Sequence, residues 1–145
     1  MRITILHLIL ILVFLSGSTS QVIEQLDIVE AALNDNPEYA LEVLDSIGKS
    51  SEGYVSKNRK LKARHALLYA IALDKCYIDT ADVSIIQPAL DWYSKHGNAS
   101  DKKKMYYYYG RILDNGGRYG DAIIEYEKAL AYSEANDHYF NGLLN

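Results

Sequence analysis

Beyond the first twenty residues, apolar positions recur with a helical period. Val22, Leu26, Val29, Ala32 and Leu33 fall on one stripe between Glu24, Asp27 and Glu30, which predicts a helix over 21–33. Asn34-Asp35-Asn36-Pro37 interrupts it and starts the next, with Asn36 suited to an N-cap and Pro37 to the first helical position. Ala40, Leu41, Val43, Leu44 and Ile47 continue that second stripe, and Gly48 is expected to close it. Residues 49–56 read as a polar loop. A longer helix follows from about Lys57 to Lys75, basic at its start and apolar from Ala66 to Leu73. Asp79-Thr80 fits a cap for a fourth helix ending before Gly97; Pro88 inside it demands a kink or a later start near Ser84. Asp101 is expected to cap a fifth helix running to Asn115. Gly116-Gly117 ends that helix, and a sixth spans about Gly120 to Asn136. No stretch alternates with the period of a half-buried strand, so the expected fold class is all-α.

A repeat underlies the pattern. Shifting residues 64–74 by forty lays Arg64, Leu67, Leu68, Tyr69, Ala70, Leu73 and Asp74 on Lys104, Tyr107, Tyr108, Tyr109, Gly110, Leu113 and Asp114. The same shift takes Ile86 to Tyr126 and Ala89 to Ala129, large on large and small on small. Three helix pairs, at about 21–48, 57–96 and 101–136, therefore share one plan. In the last pair, with Lys103 as the first position of about 34, Tyr106, Tyr109, Gly110, Leu113, Ala122, Tyr126 and Ala129 stand at the signature positions of a tetratricopeptide repeat. The chain resembles that family, and Glu134 departs from it where a proline is usual. The segments Leu67 to Asp79, Trp92-Tyr93, His96-Gly97 and Tyr107 to Arg111 are similar to the N-terminal region of exported Bacteroidota repeat proteins.

The resemblance implies antiparallel helix pairs stacked as a short right-handed solenoid, with Gly110 and Ala122 small so that two helices can approach. It also implies a peptide-binding groove presented by Arg64, Leu67, Ile71 and Asp74 and then by Lys104, Tyr107, Arg111 and Asp114. That set suits a protein or peptide partner carrying a carboxylate, since Arg binds one through two parallel hydrogen bonds. The competing reading is that Asp74 and Asp114 neutralise these cations locally.

The N-terminus reads as an address. Arg2 precedes an apolar run, Ile3 to Leu15, broken only by Thr4 and His7, and Ser16 to Ser20 is small and polar. This is the layout of a signal peptide over residues 1–20, with Ser18 and Ser20 as the small residues before a cut at Gln21. The run falls short of the ~20 residues that cross a bilayer as a helix, so export to a periplasm-like space is expected; an uncleaved membrane anchor is the alternative. Leu15-Ser16-Gly17-Ser18 follows a lipobox except at the last position, where serine replaces the lipid-accepting cysteine, so no lipid anchor is expected.

Composition narrows the function classes. The chain has 145 residues with 15 basic and 19 acidic side chains, a net −4 that disfavours a nucleic-acid partner. Thirteen of the sixteen aromatics are tyrosine, suited to half-buried contacts with a polar tip. Cys76, the single cysteine, excludes an intrachain disulfide or a cysteine-based zinc site. His65, His96 and His138 lie far apart with no ligand spacing, Glu125 and Glu127 read as a solvated face, and no nucleophile or phosphate-loop motif occurs. The basic runs Lys57 to Arg64 and Lys102 to Lys104 are also read as solvated. No catalytic residue, metal or cofactor is therefore expected.

The expected function is a non-catalytic, exported binding module. The alternative is the sensor segment of an envelope-spanning regulator whose output domain lies elsewhere. Tyr139 to Leu144 resembles the start of a further helix within a stub at 137–145, which leaves self-association through the terminal repeat as an expectation.

Overall fold

The structure, a computed structural model, describes residues 19–50 and 57–133. Residues 1–18 of the expected signal peptide, 51–56 of the expected loop, Glu134 to Asn136 and the stub at 137–145 lie outside the described residues. Among the described residues six helices follow in chain order: α1 (Thr19–Ala32), α2 (Pro37–Ser50), α3 (Arg59–Lys75), α4 (Gln87–His96), α5 (Ala99–Asn115) and α6 (Tyr119–Ala131). A 3₁₀ turn, Val83–Ile85, precedes α4. No strand occurs among the described residues, and the fold is all-α.

Helix ends follow local chemistry, at several points differently from the expected boundaries. α2 runs through Gly48 to Ser50, and a Cβ on Gly48 would touch nothing nearer than the His65 ring at 3.9 Å. α4 starts later than Asp79-Thr80 because Pro88, with no N–H to donate, is tolerated only in the first helical turn. Asp82 instead caps the 3₁₀ turn, accepting from Ser84 N at 3.0 Å. At α5 the cap is Asn98, with Asp101 three residues on. Asn98 Oδ1 accepts from Asp101 N at 2.9 Å while Asn98 N donates to Asp101 Oδ2 at 3.2 Å, a reciprocal capping box. Asn58 caps α3 by accepting from Leu61 N at 3.1 Å.

α3 and α5 end in the same turn. Ile78 N donates to Leu73 O and Tyr77 N to Asp74 O; forty positions on, Arg118 N donates to Leu113 O and Gly117 N to Asp114 O. Both are Schellman motifs, which place one residue in the left-handed region. Gly117 takes φ 71° there, and Tyr77 takes φ 57°.

The core is built around α3. Leu61, Ala63, Ala66, Leu67, Leu68, Ala70, Ile71, Ala72 and Leu73 are all buried, and from Ala66 to Leu73 the helix is apolar nearly all round, as a segment enclosed by other helices must be. It packs on α1, α2, α4 and α5. Helices adjacent in sequence pack as α1 on α2, α3 on α4 and α5 on α6; α1 also touches α3, and α3 touches α5. Leu26, Leu44, Ile47, Ile86 and Met105 are fully enclosed in one shared cluster. α6 joins through α5: Ala122 and Ala129 are buried, and a Cβ on Gly110 would lie 2.5 Å from Tyr126 Cε1. Gly110 is small because the Tyr126 ring occupies the space a side chain would need.

Candidate functional site

α1, α3 and α5 together present one face, and two adjoining depressions cross it. The first, of about 470 Å³, lies over Leu67 and Ile71 and is edged by Arg64, Lys104, Glu30 and Tyr93. The second, of about 690 Å³, is edged by Asp74, Tyr77, Tyr107, Arg111 and Glu38. Leu33, Asn34, Lys75 and Tyr108 belong to both. The face thus gathers seven of the eight expected groove residues from two helices. Asp114 edges neither depression but lies 3.8 Å from Arg111 Nη1. Leu67 and Ile71 are only 5% exposed, so they form a floor and offer little surface.

Charge on this face is largely matched within the chain. Arg64 Nη2 lies 2.7 Å from both Asp27 Oδ1 and Glu30 Oε2, and Lys104 Nζ lies 3.5 Å from Glu30 Oε1. Arg111 Nε donates to Asp74 Oδ1 at 2.8 Å. Asp74 and Asp114 therefore both serve Arg111, whereas Arg64 and Lys104 are held by α1. Burial lowers the affinity of the Arg64 guanidinium for its proton, but hydrogen bonds to Glu30 and Asp27 outweigh it and the net shift is upward. The Asp74 hydrogen bond raises Arg111 in the same way. Burial first, then Asp101, pushes the Tyr93 phenol up to about 12; burial first, then Asp114, does the same for Tyr126. Both phenols stay neutral donors across physiological pH.

Asp27 and Glu30, which pair with the cations of this face, were treated by pattern reading only as the polar side of a helix. Their signal was present: they lie three apart, flanking the buried stripe Val22–Leu26–Val29, on the edge turned toward α3. Which cations they would meet depended on how α1 packs on α3.

Other expected polar surfaces fall differently. Glu127 is exposed, but Glu125 is 8% exposed, a correction to the solvated face. It packs toward α5 and accepts from Lys128 Nζ at 2.7 Å, while that ammonium sits 5.5 Å from the Tyr106 ring centre. In the run at 102–104, Lys102 lies over the Tyr132 ring and Lys103 is 9% exposed, so only part of the run is solvated. Lys57, Arg59, Lys60 and Lys62 are exposed.

His65 Nε2 donates to Leu44 O at 2.9 Å and its ring stacks on Tyr69; His96 stacks on Trp92 at 4.2 Å between centres. Cys76 is half-buried, and burial followed by the charge of Glu38 pushes its thiol up, away from a reactive thiolate. No cluster of three His, Cys, Asp or Glu able to hold a metal occurs among the described residues. No described helix is long and apolar enough to cross a membrane. The outer side of α6 exposes Tyr119, Ile123, Ile124 and Leu130. Compared with protein-family models, with curated proteins and with solved structures, the chain finds no match.

Proposed function

We propose that this chain is a non-catalytic, exported helical-repeat module of tetratricopeptide type, its helix pairs forming a short right-handed solenoid that binds a protein or peptide partner. The observation that carries the reading is the pair of adjoining depressions across α1, α3 and α5, three helices that are not consecutive in the chain. A peptide laid across them meets an apolar floor and a rim of tyrosines, among them Tyr93, whose raised phenol stays a neutral donor. The internal ion pairs hold Arg64, Lys104 and Arg111 in place before a ligand arrives, which lowers the ordering cost of binding.

A random dodecapeptide library displayed on phage, selected on the immobilised protein, tests this. A selected peptide is titrated into isotope-labelled protein and its footprint read from amide shifts. Shifts centred on Leu67, Ile71, Lys104 and Tyr107 support the groove. Failure to enrich any peptide, or shifts confined to α4 and the outer side of α6, rejects it.

A second reading is favoured by the exposed apolar side of α6, where further repeats would stack: the module is then the sensing segment of a longer envelope regulator. The intact mass of the protein made by its own cell separates the two. A mass equal to residues 21–145 supports the free module, and a much larger one the regulator.

A further inference from the structure

The matched ends of α3 and α5 carry different residues at the left-handed position. Gly117 occupies the left-handed position of one Schellman turn, and Tyr77 occupies it in the other. A side chain at that position strains against its own backbone, and glycine removes the strain. No packing compensates, because Tyr77 is 93% exposed. Neither conformation nor the core accounts for a tyrosine here. Its location does: it edges the second depression beside Tyr107.

Two residues earlier, Lys75 edges both depressions. Arg64, Lys104 and Arg111, the other cations of this face, are each paired with an acidic side chain. Lys75 has no ion pair among the described residues. Its ammonium is not needed to close α3 either. The carbonyls of Ala72, Leu73 and Asp74 already accept from Cys76 N, Ile78 N and Tyr77 N. An uncommitted cation and a strained, solvent-facing aromatic ring thus share one end of the groove.

On the peptide-groove reading above, we infer that Lys75 and Tyr77 form a recognition subsite for an acidic peptide segment in which a carboxylate neighbours an aromatic side chain. The ammonium takes the carboxylate as a charge-assisted hydrogen bond, and the Tyr77 ring covers the flanking aromatic group. Glu38, which edges the same depression, disfavours a second carboxylate and so limits the segment to one acidic anchor at this end.

The test uses the dodecapeptides selected on the full chain. Wild-type protein should enrich sequences with Asp or Glu beside Trp, Tyr or Phe. Lys75→Gln and Tyr77→Gly should each weaken the best peptide by about ten-fold, whereas Lys95→Gln, on α4 and away from both depressions, should not. Tyr77→Phe, which keeps the ring, should retain binding. Tyr77→Gly should also raise the melting midpoint, because it removes strain while removing affinity. Peptides that bind Lys75→Gln and Tyr77→Gly as tightly as wild type overturn the subsite and leave the groove standing. A melting midpoint that does not rise overturns the argument from strain. A library that yields no binder removes the groove and the subsite together.

Discussion

A methyl group added at Gly110 would sit 2.5 Å from Tyr126 Cε1 and 2.7 Å from Cδ1, well inside contact distance. The ring cannot be accommodated unless it or α6 moves. Gly110→Ala should therefore cost about 1–3 kcal/mol, the usual range for overpacking, read as a lower urea midpoint with an unchanged slope. Because the clash is with one ring, Gly110→Ala combined with Tyr126→Leu should lose less than the sum of the two single changes. His65 carries a different kind of dependence. Burial lowers its proton affinity below the ordinary 6.5, against the opposing pull of the Leu44 carbonyl and Asp45. Between its folded value and 6.5 the unfolded chain binds more protons than the folded one. Its contribution to stability is thus complete above the unfolded value and declines as the pH falls below it. Melting midpoints measured across the acidic range should drop for wild type and drop less for His65→Gln, whose amide can still donate to Leu44 O.

Among the elements, α5 is the one whose start is most tightly specified. Both hydrogen bonds of its capping box are present, Asn98 accepting from Asp101 N and Asp101 accepting from Asn98 N. Asn98→Ala should remove about 1 kcal/mol of stability, measurable by chemical denaturation, and Asn98→Asp should largely preserve it. The consequence reaches the candidate site, since α5 supplies Lys104, Tyr107, Tyr108 and Arg111. The paired acid could be seen in the order of residues, yet the cap was expected at Asp101. The two positions are hard to separate by composition because Asn and Asp are both good caps. Only the backbone distinguishes them, extended at Asn98 and helical beyond it. The start of α4 shows the same limit: proline forbids a long helix through 88, but whether the chain kinks or begins late depends on what packs against it.

Over the whole molecule, stability should decline from α3 outward. α3 is enclosed by four helices, whereas α6 packs mainly on α5 and carries Ile123 and Ile124 into solvent. Native-state hydrogen exchange should find the slowest amides in α3, at the opening free energy of global unfolding, and faster sub-global opening in α6. Equal protection in the two helices would show that the outer side of α6 is covered in solution.

The helical period, the breaks at Pro37, Gly97 and Gly116-Gly117, and the equivalence of α3 and α5 residues forty apart follow from the sequence alone; the expected match of Ile86 to Tyr126 does not hold, since Ile86 precedes α4 and Tyr126 lies within α6. Those that hold rest on local rules: side-chain spacing on a helix, backbone freedom at glycine and the missing donor of proline. Even the small size of Gly110 and Ala122 was legible, because close approach of helices excludes large side chains at fixed positions. The partnering of charges was not. Arg64 and Asp27 are far apart in the chain, and nothing local says that α1 would lie along α3 with its acidic edge facing those cations. Nor could periodicity show that Glu125 turns inward, that Tyr77 takes a left-handed conformation, or that Lys75 lies between two depressions with no ion pair among the described residues. Those properties belong to contacts between helices, whose relative placement is set by the packing of the shared core and not by the residues of either helix on its own.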